Sequence, residues 1–125
     1  MATLVDQDFH ARLRALGDKF AARVPETMAA IERALAACAA RGATPECVGE
    51  LHELLHGIAG SAGTFGFTVL GREARRLEQQ ARAVQAGEVE WPPLAAQLAQ
   101  LLRWAARDPK AAQYDGEDED KTTHD

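Results

Sequence analysis

The residues predict an all-α domain, an antiparallel four-helix bundle with a short N-terminal cap helix, and three observations carry that expectation. Apolar residues recur in steps of three and four along most of the chain, and no stretch alternates as a half-buried strand would. Four Phe, two Trp and one Tyr among 125 residues leave few of the side chains that sheets favour, while Ala and Leu are abundant. Brief turn signals separate the periodic segments, no internal repeat is visible, and the length suits one core rather than two.

The first stripe is Phe9, Leu13, Leu16, Phe20, Val24, Met28, Ile31, Leu35, Cys38. Gly17 and Pro25 interrupt it, so a short cap helix followed by a long one is expected, or a single kinked rod. Gly42 ends this segment. Thr44-Pro45-Glu46 then starts the next helix, with Thr as N-cap, Pro in the first turn and an acid beside it. That helix buries Cys47, Leu51, Leu54, Leu55, Ile58 and Ala62. After Gly63 the pattern resumes as Phe67, Leu70, Ala74, Leu77, Ala81, Val84 and stops near Gly87. Trp91, Leu94, Leu98, Leu101 and Ala105 follow at Pro92-Pro93, and Asp108-Pro109 closes the last helix.

The net charge of −5 belongs to one end. Residues 108–125 hold seven acids against Lys110 and Lys121, which leaves 12 acids and 12 Lys or Arg in residues 1–107. The expected organisation is therefore a neutral bundle over 1–107 and an acidic, disordered tail over 108–125. A neutral body with an acidic tail argues against nucleic acid as a partner. No signal peptide, long apolar run or lipidation pattern is visible, so a cytoplasmic protein with no membrane contact is expected, and a monomer is the expected state. Cys38 and Cys47 both fall on apolar faces and read as reduced core thiols.

One helix face is unusual. With His56 at the origin of a helical wheel, the apolar residues lie opposite, and its own side carries Gly49, His52, Ala59, Gly60 and Gly63. A solvent face ordinarily carries Lys, Glu and Arg. Gly57 and Gly60 each forfeit roughly 1 kcal/mol relative to Ala inside a helix. Stripping the surroundings of one imidazole to small residues suits a bulky group that must approach the ring. A neutral imidazole at cell pH is a nucleophile able to take an activated phosphoryl group as a phosphoramidate, given clearance for in-line approach.

The run from His56 to Phe67, His-Gly-Ile-Ala-Gly-Ser-Ala-Gly-Thr-Phe-Gly-Phe, resembles the phosphoacceptor signature of histidine phosphotransfer domains. Gly63–Leu70 is especially similar to the phosphotransfer domain of the chemotaxis histidine kinase, and Leu70–Glu78 continues in the same style. The resemblance implies a four-helix bundle that carries a phosphoryl group on His56 as a stoichiometric phosphocarrier, not an enzyme. It implies response-regulator receiver domains and a sensor or hybrid histidine kinase as partners, with Mg²⁺ supplied by the receiver and no cofactor of its own. Gly60 would admit the partner's active site, with His52, Ala59 and Gly63 on the same face. Glu78 matches a carboxylate that hydrogen-bonds the second imidazole nitrogen. The family usually has Lys three residues after the histidine, where this chain has Ala59. Arg75 is then the best-placed cation for the phosphoryl oxygens.

Two other readings compete. His52-Glu53-Leu54-Leu55-His56 also spells the HExxH pattern of zinc hydrolases. A third ligand would be needed; the extended motif has Ala59 and Ala62 where Gly and His belong, leaving only the distant Glu73 or Glu78. That reading explains none of residues 57–70, so no metal is expected. A degenerate interaction module would use the small-residue face for docking without chemistry. His10 and His124 stand apart, in the first helix and the tail.

Overall fold

The computed structural model describes residues 4–114, all of it helix and turn. Four helices follow one another: α1 (Leu4–Arg41), α2 (Pro45–Ser61), α3 (Thr68–Gln85) and α4 (Trp91–Arg107), with a single 3-10 turn at Gly63–Phe65. The all-helical, four-helix expectation holds; the separate cap helix does not. Residues 4–41 form one continuous helix that passes through both Gly17 and Pro25. Pro25 removes only the bond its N–H would have made to the carbonyl one turn back, and the hydroxyl of Thr27 donates to the Arg23 carbonyl at 3.0 Å. A run rich in Ala, Leu and Arg absorbs that single loss.

The stripe of α1 also divides differently from its periodicity. Val24, Ile31, Ala34 and Cys38 are buried, whereas Phe9, Leu13 and Leu16 are exposed. Length is the cause. At about 1.5 Å per residue, α1 is about twice as long as any of its partners, and its first turns overshoot them.

Local chemistry sets the turns. Gly42 adopts φ 85, a left-handed conformation that glycine tolerates without strain, and the Ala43 N–H donates to the Cys38 carbonyl at 2.7 Å. Thr44 caps α2, its Oγ1 accepting from the Cys47 N–H at 3.3 Å, with Pro45 in the first turn. After α2 the chain reverses through Gly66 at φ 89. Phe65 and Phe67 flank this turn and pack against Phe20, with ring centroids 5.5 and 5.2 Å away.

The core joins fully buried Leu51 and Leu55 of α2, Leu70 and Leu77 of α3, and Leu94, Leu98 and Leu101 of α4 to the α1 stripe. Each such side chain contributes roughly 1.5–3 kcal/mol of burial. Cys38 and Cys47 are both buried and unbridged. Burial first, and then its neighbour Cys47, pushes the Cys38 thiol up to about 12, so it stays protonated. Among the described residues no helix is long and apolar enough to cross a membrane.

The acidic stretch that starts at residue 108 is described only as far as residue 114. Residues 108–114 turn back onto the bundle: Trp104 Nε1 donates to the Gln113 carbonyl at 2.8 Å, and Tyr114 packs edge-on against Trp104 at 5.3 Å. Lys110 Nζ lies 5.1 Å over the Phe67 ring. The remaining acidic stretch, with His124, lies outside the described residues.

Candidate functional site

Helices α2 and α3 run antiparallel, and their side-chain bonds keep a regular register. Gln85 donates to the Pro45 carbonyl, Arg82 meets His52, Glu78 meets His56, and Arg75 reaches the Ala59 carbonyl. Near the 3-10 turn the two helices approach closely. A Cβ added at Gly71 would stand 3.1 Å from Ala62 Cβ and 3.3 Å from the Gly63 nitrogen, too tight for ordinary contact.

The bonded histidine projects into solvent. His56 has a side-chain exposure of 71%, while the Glu78 carboxylate beside it is 10% exposed. Glu78 Oε2 lies 2.6 Å from His56 Nδ1. An ionised carboxylate only accepts, so Nδ1 carries the proton and the Nε2 lone pair is left facing outward. The pattern gives a fixed tautomer and a nucleophilic nitrogen pointing away from the protein.

Small residues surround this ring, and the fold does not demand them. Gly60 and Gly63 are exposed, and an added Cβ at either would meet nothing within 4 Å. Ala59 differs. It was expected on the open face with Gly60, yet it is 9% exposed and belongs to the core cluster. Its position, three residues past His56, rolls toward α3, where the Arg75 Nη2 donates to its carbonyl at 3.4 Å. Arg75 itself is exposed and thus sits on the α3 side of the small-residue face.

Two contacts around this carboxylate were not legible in the sequence. His52, expected as a surface residue on the partner-binding face, is 19% exposed and has Nε2 at 3.5 Å from Glu78 Oε2. Its ring stacks one turn from His56, 6.2 Å between centroids. Arg82 was not singled out, and its Nη2 lies 3.3 Å from His52 Nε2. The register held the signal: with His56 opposite Glu78, the residue four before His56 must face the residue four after Glu78. Arg75, Glu78, Gln79 and Arg82 line a shallow depression on the α3 side. Among the described residues, no group of three or more His, Cys, Asp or Glu is arranged to hold a metal ion. Glu53, the acid of the HExxH pattern, lines the separate groove between α1 and α2 with Arg23 and Gly57.

None of the curated proteins and no solved structure gives a significant match to the chain. The family model described as the Hpt domain matches residues 16–107, which takes in α2, α3, α4 and the part of α1 that packs on them. That match spans well over half of the sequence, and the chain belongs to the Hpt domain family.

Proposed function

We propose that this protein is a phosphocarrier that accepts a phosphoryl group on His56 Nε2 and exchanges it with the aspartate of a response-regulator receiver domain. Hpt domains serve histidine phosphotransfer in phosphorelays, as carriers rather than enzymes, and interact with histidine kinases and response regulators. The observation that carries the assignment to His56 is its geometry. The ring is exposed and held by Glu78 through Nδ1, on a face where Gly60 and Gly63 leave open space.

The step follows from that arrangement. The Nε2 lone pair attacks the phosphorus of an aspartyl phosphate, the bond from phosphorus to the carboxylate oxygen breaks, and its electron pair leaves on the aspartate. The ring keeps its Nδ1 proton and gains positive charge, which the Glu78 carboxylate faces at 2.6 Å. Return of the phosphoryl group reverses each bond. Glu78 thus orients the ring and balances its charge, and Arg75 lends positive charge beside the phosphoryl oxygens. His52, Gly60 and Gly63 lie where the receiver would sit, and Ala59 supports that surface from beneath.

The receiver is expected to supply the Mg²⁺, and a sensor or hybrid kinase to load the relay. The reading includes a cytoplasmic monomer and an up-and-down antiparallel order for all four helices. Incubation with a phosphorylated receiver tests the assignment. Wild-type protein should acquire an acid-labile, base-stable label, and His56→Gln should acquire none while keeping its helical content. Label persisting in that variant moves the site to His52. No label in either protein favours a docking module without chemistry.

A further inference from the structure

Two imidazoles reach toward one carboxylate oxygen. Glu78 Oε2 lies 2.6 Å from His56 Nδ1 and 3.5 Å from His52 Nε2. A neutral imidazole has one mobile proton, so the His52 Nε2 either donates toward Glu78 or accepts from another group. Arg82 decides between these. Its Nη2 stands 3.3 Å from that nitrogen, and a guanidinium has donors only and keeps its charge. With Arg82 donating, His52 Nε2 is a lone pair and its proton sits on Nδ1. His52 then has no hydrogen to offer Glu78, and the carboxylate is left to His56.

We propose that Arg82 is a positioning residue that holds His52 off the Glu78 carboxylate and so reserves that carboxylate for His56. The inference rests on His56 as the phosphoacceptor, and neither residue touches the reacting phosphorus. When Arg82 is removed, His52 is released to the Nε2–H tautomer and closes the 3.5 Å gap to Glu78. The carboxylate is then divided between two rings. His56 loses part of the restraint that keeps its proton on Nδ1 and its lone pair on the outward nitrogen.

The test uses the full chain and two readouts. The first is the imidazole ¹⁵N spectrum of unphosphorylated protein, which reports each ring's tautomer without any phosphate donor. Wild-type His56 should show the Nδ1–H form, Arg82→Met a mixture, and Arg82→Lys, which keeps a donor, a spectrum near wild type. The second is the rate of transfer from a receiver domain charged with acetyl phosphate. Arg82→Met should slow it by roughly threefold to tenfold, the range expected for one hydrogen bond. In a His52→Leu background, Arg82→Met should cause no further loss, because no second imidazole remains to compete.

An unchanged His56 tautomer in Arg82→Met overturns the proposal. So does a rate loss that persists undiminished in the His52→Leu background, which would place Arg82 in direct contact with the partner or phosphoryl group. Absence of label in every protein, wild type included, refutes the phosphoacceptor reading instead. The ring spectra still decide the relation of Arg82, His52 and Glu78 in that case.

Discussion

Two acids on α3 are buried to a similar degree and held in different ways. Glu73 is 4% exposed and Glu78 8%. Glu73 is closed by arginines of its own helix: Arg76 donates through Nε at 3.0 Å and lies at 2.8 Å through Nη2, with Arg72 Nε at 3.5 Å. Arg76 continues to Gln97 Oε1 of α4 at 2.6 Å, so this cluster also ties two helices together. Glu78 faces imidazoles of the neighbouring helix instead. An arginine partner has donors only and no proton to exchange, so the Glu73 cluster serves the fold. An imidazole partner can move its proton and take up charge, so the Glu78 cluster can answer a change at the ring.

The surroundings of the two clusters offer the strongest way to break that contrast. Gly60 lies on the open face beside His56, where a side chain meets no part of the fold. Gly60→Gln should slow phosphotransfer about a hundredfold by misplacing the incoming receiver. Thermal unfolding should show the bundle intact, with a gain of roughly 0.5–1 kcal/mol from helix propensity. Normal transfer rates in this variant would remove the open face from the mechanism.

The acids themselves give the next largest effect. Glu78→Gln should slow transfer by about tenfold, the loss of one charge-assisted bond to a partly exposed ring. Glu73→Gln should instead lower unfolding stability by about 1–2 kcal/mol, since its arginine partners are partly solvated, and leave transfer per folded molecule unchanged. Denaturation curves and transfer rates on both variants decide the matter. A reversed pair of outcomes would mean that Glu73 serves the chemistry and Glu78 the fold.

Arg75 carries the smallest effect. An exposed cation beside a phosphoryl group is worth about 1 kcal/mol or less, so Arg75→Ala should cost less than about fivefold in transfer rate or phosphohistidine lifetime. Its guanidinium already lies against the Ala59 carbonyl at 3.4 Å. Ala59→Lys should therefore compensate only where Arg75 has been removed, because the two long side chains would occupy the same space. Equal compensation in the presence of Arg75 would show that the two cations occupy separate places.

Much of the fold and of the site is legible in the sequence. The Thr44 cap, the Gly42 stop and the stripes of α2, α3 and α4 follow from local rules, because capping geometry and helical period act within a few residues. The exposed His56 among glycines was legible for the same reason. What was not legible depends on partners distant in sequence. Periodicity marked Phe9, Leu13 and Leu16 as a packing face, but only the lengths of the other helices decide where packing stops. Ala59 sits near the border of the wheel, and the arm of Arg75 from α3 covers it. His52 and Arg82 gain meaning from the register between two helices. Trp104 falls outside the apolar series of α4, yet it anchors the turn at 108–114 through its indole N–H.

The overshoot of α1 gives one helix two different tenures. From Val24 onward one face, through Ile31, Ala34 and Cys38, is buried in the bundle, so this stretch opens only when the bundle does. Around Phe9 and Leu13 the turns depend on intrinsic helicity, which is marginal for short isolated segments in water. Opening therefore begins at that end and travels inward, with cooperative behaviour setting in where Phe20 meets the two phenylalanines of the α2–α3 turn. A single rod by hydrogen bonding is thus a loose arm joined to a rigid strut.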